Sequence, residues 1–426
     1  MRSLPVKTRS EQAGSRVGSA PCRRGTGRRR AAVVASAAFA VLVTFPPLPA
    51  AGEGAERGRS RGELMSVTPL GERDYQSVVK EAQKAGYPTD TARHGVAAYR
   101  LTYRTVAPDG SPTTASGLLT LPRGGGHRLP TVVHGHGTLA YRGYAASVAD
   151  GPDRTVSLLY ASAGRAAVSP DYLGLGTGPG PHPYLDNRSA ADASLDMLRA
   201  AHTAAPKLGR TLDGRVYATG FSQGGQVAMA LGRTLNSDAD TRFHLRGVAA
   251  VGGAYDLDSS QLPGLFDGRV GPGSAVFYTA YFLTAQNRLH HLYSDPRQVF
   301  RAPCAEHVEE LFDSNHPAEQ IAGKLPETLP ELLSDQWHTK LQNPSGRLLA
   351  VLRSNDFTCD WKPNVPVTLY SASGDHDVPI ANSRHCAQRV SAHGGSARVV
   401  DEGDVSHYAA FQRSLPEIAR SFPTSP

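Results

Sequence analysis

The chain is 426 residues long and carries 45 Lys and Arg against 38 Asp and Glu, a formal net charge of +7. Nine of those basic residues and one acid, Glu11, fall within residues 1–50, so the rest is close to neutral. No basic stripe remains to hold nucleic acid or an anionic membrane surface, and both partners are excluded. The remaining length is enough for one large core with an inserted subdomain.

An arginine-rich start ends in Arg28-Arg29-Arg30, followed by the apolar run Ala31–Val43, prolines, and Leu48-Pro49-Ala50. This pattern predicts an export signal over residues 1–50 and a secreted protein. The apolar run is shorter than the ~20 residues a membrane span needs, so no stable membrane anchor is expected. Residues 51–63, rich in Gly, Arg and Glu, are expected to form a flexible leader. Beyond the signal, Cys304, Cys359 and Cys386 permit one disulfide with one thiol left over, and all three pairings stay open.

From Leu64 onward strand and helix signals alternate. Val96–Val106 and Thr113–Leu121 predict an antiparallel pair across a Pro-Asp-Gly-Ser-Pro turn. Short buried strands come next at Pro130–His134, Arg165–Ser169, Arg215–Thr219 and Leu245–Val251, with Val365–Ser371 and Ala397–Val400 as the last two. Asp186–Ala205 is helix-like, with Leu195 and Leu198 on one side. Such alternation predicts an α/β protein: a mostly parallel eight-stranded sheet with helices on both faces and ligands at the carboxyl ends of the strands. After the sixth strand the alternation stops, and helix-like pieces separated by prolines predict an inserted helical cap over 256–345. The core is then 64–255 together with 346–426. A single chain of this kind is expected to act as a monomer.

The chain is organised around Arg215–Thr219, Gly220-Phe221-Ser222-Gln223-Gly224 and the helix-forming residues from Gln226: strand, sharp turn, helix. A serine hydroxyl is a weak nucleophile and must stand at the tip of a strained turn, and glycines two before and two after it let the helix pack back on the strand. Ser222 is therefore the predicted nucleophile. An orienting acid and then a histidine should come after it, at the ends of the last two strands. The penultimate strand runs into Ser373-Gly374-Asp375-His376-Asp377, and the last into Asp401-Glu402-Gly403-Asp404-Val405-Ser406-His407. His407 is the expected general base and Asp377 the acid that fixes its tautomer, with Asp375 expected to cap the turn. Asp375 and Asp256 are the alternative acids.

In His134-Gly135-His136-Gly137-Thr138, after the third strand, backbone N–H groups should converge with that of Gln223 to form an oxyanion hole, His136 or Gly137 being the second donor. The two histidines lack a third ligand at metal spacing, so neither a metal nor any cofactor is expected. Asp171 and Tyr172 are expected to be structural or pocket-lining, and His290-His291 and Asp375-His376 to lie in solvated loops.

Together, His134-Gly135-His136-Gly137, Pro170-Asp171-Tyr172-Leu173-Gly174-Leu175-Gly176, Leu195–Ala201, Gly220–Gly225, Gly374–Pro379 and Ser406-His407 resemble the secretory lipase family of α/β-hydrolases. The resemblance runs from about Leu64 to the end, with the motifs in order. It implies an α/β-hydrolase fold with a helical cap, esterase or lipase activity on small-molecule or lipid carboxylic esters, and Ser222, Asp377 and His407 as the triad. Relatives often bridge a cysteine after the acid to one near the C-terminus; no cysteine comes after His407, so that bridge is not carried over. A peptidase or acyltransferase on this fold is the runner-up, because a triad alone distinguishes neither ester from amide nor water from another acceptor. A non-catalytic binding protein comes third.

Overall fold

Nine strands make one sheet in the computed structural model, which describes residues 61–424: β1 (Leu64–Arg73), β2 (Val96–Val106), β3 (Pro112–Pro122), β4 (Arg128–Gly135), β5 (Ala166–Pro170), β6 (Thr211–Phe221), β7 (His244–Val251), β8 (Val367–Ser371) and β9 (Arg398–Asp401). The expected signal, 1–50, lies outside the described residues. The order is β1-β2-β3-β5-β4-β6-β7-β8-β9. From β5 to β9 all pairs are parallel, whereas β1, β2, β3 and β5 pair antiparallel.

The sheet has one strand more than the eight expected. The addition, β1, is an edge strand with two irregularities in register, and Met65 on it is 49% exposed. A strand with no fully buried residue and two breaks in register lacks the regular alternation of apolar and polar residues by which strands are recognised. The segment 51–63 also ends differently from a free leader: Arg61 binds Asp192 at 2.8 Å and the buried Asp196 at 3.1 Å, and Gly62 N donates to Arg104 O at 2.9 Å.

The longer helices are α1 (Tyr75–Lys84), α2 (Pro152–Ser162), α3 (Asn187–Ala204), α4 (Gln223–Asn236), α5 (Pro272–His290), α6 (Asp335–Gln342), α7 (Gly346–Asn355), α8 (Ala381–Ala392) and α9 (His407–Ser421). Successive strand residues face opposite sides. Val133, Val168, Ala218, Val248 and Leu369 accordingly pack with α3, α4 and α8 through Leu198, Met229 and Val390. Val132, Ala167, Tyr217, Ala249 and Tyr370 pack with α1, α2 and α9 through Val78, Val156 and Phe411.

Between β7 and β8 the chain forms α5, α6, α7 and several short helical turns around a separate apolar cluster that includes Tyr281, Phe312, Leu332 and Trp337. Leu348, Val351 and Leu352 of α7 belong to the same cluster, so this helical layer continues past residue 345. Cys359, where the layer ends, is bonded to Cys386 of α8, and Cys304 lies outside the bridge. Among the described residues no helix is long and apolar enough to cross a membrane.

Candidate active site

β6 delivers Ser222 and α4 carries the chain away from it. Between them the serine takes φ 56°, ψ −120°, a conformation that costs a non-glycine residue roughly 1–3 kcal/mol. Two backbone bonds hold it there: Ser222 N donates to Val251 O at 2.8 Å, and Gly225 N donates to Ser222 O at 2.8 Å. The flanking glycines are needed for contact rather than flexibility. A Cβ on Gly224 would lie 2.1 Å from Gly135 O, and one on Gly220 would lie 2.1 Å from Gly224 O. α4, β6 and β4 thus touch backbone to backbone.

His407 opens α9 behind its N-cap Ser406, whose side chain accepts from Ala409 N at 3.3 Å. Its imidazole lies against the ring of Phe221, the residue before Ser222, with centroids 4.5 Å apart. Gly252, at the end of β7 with φ +56°, makes room for the ring, since a Cβ there would come within 2.7 Å of His407 Cε1. His407 Nδ1 donates to Asp375 Oδ2 at 2.6 Å. An imidazole that donates from Nδ1 to a carboxylate keeps its lone pair on Nε2, and His407 Nε2 is buried and makes no hydrogen bond. Through Phe221 the imidazole lies next to the turn that holds Ser222, and no hydrogen bond joins His407 Nε2 to the serine.

Asp377, the expected partner of His407, is not the carboxylate at the imidazole; Asp375 is. Asp375 also performs the capping expected of it, because Oδ1 accepts from Asp377 N at 2.8 Å and Val378 N at 2.9 Å while Oδ2 meets the histidine. Capping and orienting do not exclude one another, because a carboxylate has two oxygens. Asp377 instead faces α5, accepting from Ser274 Oγ at 2.5 Å and Tyr278 OH at 3.4 Å. Asp256, the other alternative, accepts from Ser260 Oγ at 2.6 Å and lies 3.2 Å from His385 Nδ1.

Gly137 lies directly beside Ser222, a Cβ on it falling 3.6 Å from Ser222 Cβ. The N–H of Gln223, at the first position of α4, has no intrahelical acceptor. Those two residues are thus neighbours of Ser222. His136 serves differently: its ring nitrogens lie 2.7 Å from Gly137 O and 3.1 Å from Asp171 O, which buttresses the loop. Asp171 is fully buried, with Ser116 Oγ donating to it at 2.6 Å and Ser147 Oγ also bonded; burial pushes its pKa up. His134 packs with Tyr160 and Phe411, and burial holds its pKa down at about 3. His291 ends α5 with φ 50°, and His376 is exposed near Arg269 O.

The sequence matches no protein-family model and no curated protein. Solved structures do resemble the chain. A putative hydrolase from Legionella pneumophila is 25% identical with a TM-score of 0.76, covering 84% of this chain and 97% of that one. The rice cell wall degrading esterase LipA of Xanthomonas oryzae, in a ligand-bound form, is 27% identical with a TM-score of 0.76, covering 85% and 97%. Candida antarctica lipase A, at 14% identity and a TM-score of 0.64 over 87% of this chain and 85% of its own, agrees in fold. The fold is the α/β-hydrolase fold.

In this α/β-hydrolase fold the space beside Ser222 is a pocket of ≈ 660 Å³, open mouth included, walled by Thr138, Gln226, Leu262, Phe282, Leu352 and Val378 among others. It is mostly apolar, as ligand pockets are. The sequence patterns do not single out Thr138, Gln226, Gly252 or His182. His182 is buried, with Nδ1 2.8 Å from Leu173 O and Nε2 2.9 Å from the side-chain amide of Gln223. Burial pushes its pKa down to about 3, so the ring is neutral. The Gly-rich run Gly174–Gly180 just before it is the only sequence sign that a side chain there turns inward.

Proposed function

We propose that the chain is a secreted serine hydrolase that cleaves carboxylic esters of small molecules or lipids through an acyl-enzyme. One observation carries the reading: the buried Asp375–His407 bond, which leaves the Nε2 lone pair of a histidine packed against the residue preceding a strained serine. His407 Nε2 takes the Ser222 Oγ proton as Oγ attacks the ester carbonyl carbon, and the imidazolium formed is stabilised by Asp375. The N–H groups of Gln223 and Gly137 receive the oxygen that becomes negative. Collapse expels the alcohol, protonated by His407, and leaves the acyl group on Ser222. A water activated by the same nitrogen then releases the acid. The esterase and lipase relationships of the neighbouring structures favour esters over amides.

Secretion rests on the arginine-rich and apolar start of the chain and agrees with a disulfide between Cys359 and Cys386. The helices between β7 and β8 form part of the pocket wall and select the substrate.

A serine-directed phosphonate should label Ser222, and Ser222→Ala should abolish turnover of p-nitrophenyl esters while the protein stays folded. Labelling at another residue, or amides outrunning esters in a matched series, would send the reading elsewhere.

A further inference from the structure

Three of the residues that line the pocket next to Ser222 carry a polar atom that is buried and without a partner: Gln223 Oε1, Gln226 Oε1 and Thr279 Oγ1. The orientation of both amides is set by what they touch. His182 Nδ1 faces a carbonyl, which can only accept, so it carries the ring proton and Nε2 is an acceptor. Gln223 must therefore give Nε2 its NH2 group, which leaves Oε1 unused. Gln226 likewise spends its NH2 on Ala254 O, leaving its Oε1 unused. Gln261, on the same wall, has both ends occupied, donating to Asp377 O at 2.9 Å and accepting from Asn382 Nδ2 at 3.0 Å. Gln223 and Gln226 are thus held as acceptors with nothing to accept. Thr279, on α5, makes no bond to the carbonyl one turn back and can donate or accept.

Buried acceptors discriminate against a ligand that leaves them unpaired. A plain alkyl chain filling this pocket would leave the two amide oxygens as they are, buried and unpaired. A chain carrying hydroxyl groups would donate to them.

We propose that the pocket takes a hydroxylated group, whose O–H donors are received by Gln223 Oε1 and Gln226 Oε1 with Thr279 Oγ1 as a third partner. This rests on the ester-hydrolase reading of Ser222, and the hydroxyls can belong to the acid or the alcohol of the ester.

Two matched sets of substrates distinguish these sources. The first compares p-nitrophenyl hexanoate with its 3-hydroxy and 6-hydroxy derivatives; the second compares propyl acetate with glyceryl monoacetate. In at least one set, kcat/KM should be about tenfold higher for a hydroxylated member, the factor a satisfied buried acceptor is worth, and the set in which this appears identifies the acid or the alcohol side. Gln226→Leu and the isosteric Thr279→Val should each shrink that ratio severalfold; if Gln226→Leu does not fold, Thr279→Val carries the comparison. Plain esters turned over as fast as hydroxylated ones in both sets, or a preference undiminished in the folded variants, would overturn the inference and leave ester hydrolysis standing. No turnover of any ester, with no phosphonate on Ser222, would overturn both.

Discussion

Replacing Asp375 by Asn tests the candidate site most directly, because the structure sets two opposite consequences for neighbouring residues. In Asp375→Asn, Oδ1 can still accept from Asp377 N and Val378 N, so the turn keeps its cap. The group facing His407 Nδ1 at 2.6 Å then becomes an NH2. Donor would face donor, and the imidazole would shift its proton to Nε2, where the lone pair is required. The equivalent change in a related triad costs ~10⁴ in kcat, which corresponds to about 5.5 kcal/mol of barrier. The thermal midpoint should move little, since the amide oxygen retains the cap, worth ~1 kcal/mol. Asp377→Asn keeps an acceptor for Ser274 and Tyr278 and does not touch His407. Its kcat should fall less than about tenfold, as expected of a single hydrogen bond. The assay is kcat and thermal midpoint of both variants on one p-nitrophenyl ester. A larger kcat loss in Asp377→Asn, or an Asp375→Asn enzyme within tenfold of the parent, would refute the pairing read from the structure.

Three further outcomes are expected. Burial, reinforced by the Asp256 charge, raises the Asp356 pKa to about 7, so the folded protein holds a proton that the unfolded chain has lost above about 4, and stability should fall as pH rises from 4 to 7. Asp356→Asn, which keeps an acceptor for Leu257 N, should gain up to about 4 kcal/mol over the parent between pH 5 and 8, measured as the difference in urea midpoints; an identical pH dependence in both would contradict the burial. Cys386→Ser opens a loop closed across a separation of 27 residues and should lose about 3–4 kcal/mol, read from denaturant unfolding with and without reductant; reductant should destabilise the parent and leave the variant unchanged. Phe282→Ala removes a ring from the pocket wall and should raise the ratio of kcat/KM for long over short acyl esters by tenfold or more, an unchanged ratio showing that the acyl group lies elsewhere.

The parts of the fold legible in the sequence are those where local chemistry and tertiary role coincide. β4, β6 and β7 are buried on both faces, and their apolar runs mark them as strands. β1 is half exposed along its length and has no such signature. The elbow is legible because its glycines are forced by backbone contact: Gly220, Gly224 and Gly135 meet where no Cβ fits. Gly252 serves the base in the same manner, but it lies 155 positions away from His407 in the chain, and nothing local marks it. The pairing of Cys359 with Cys386 is open in the sequence for the same reason, since it depends on where α8 docks.

The two carboxylates of the loop after β8 show why the acid could not be chosen from sequence. Counting residues from a strand end places a side chain along the chain but not around it, and the loop lies between two elements that both want an acceptor. On one side is His407. On the other is α5, whose four aromatic residues form two pairs at i, i+4. Tyr281 stacks on Phe312 at 4.7 Å with Phe277 edge-on to the same ring at 5.5 Å, and these make the core of the helical layer. Tyr278 and Phe282 line the pocket instead, and the hydroxyl of Tyr278 reaches Asp377. A helix apolar on two adjacent faces offers no polar stripe from which its orientation could be read. Until α5 is placed, Asp377 has no visible partner, and without that partner it competes with Asp375 for the histidine. The carboxylate at His407 and the one that ties the loop to the helical layer are therefore fixed together: Gly271 N, just before α5, donates to His376 O at 2.8 Å, between the two acids. Any change that shifts α5 should move Asp375 as well, so substitutions at Ser274 or Tyr278 should lower kcat and not only alter substrate preference.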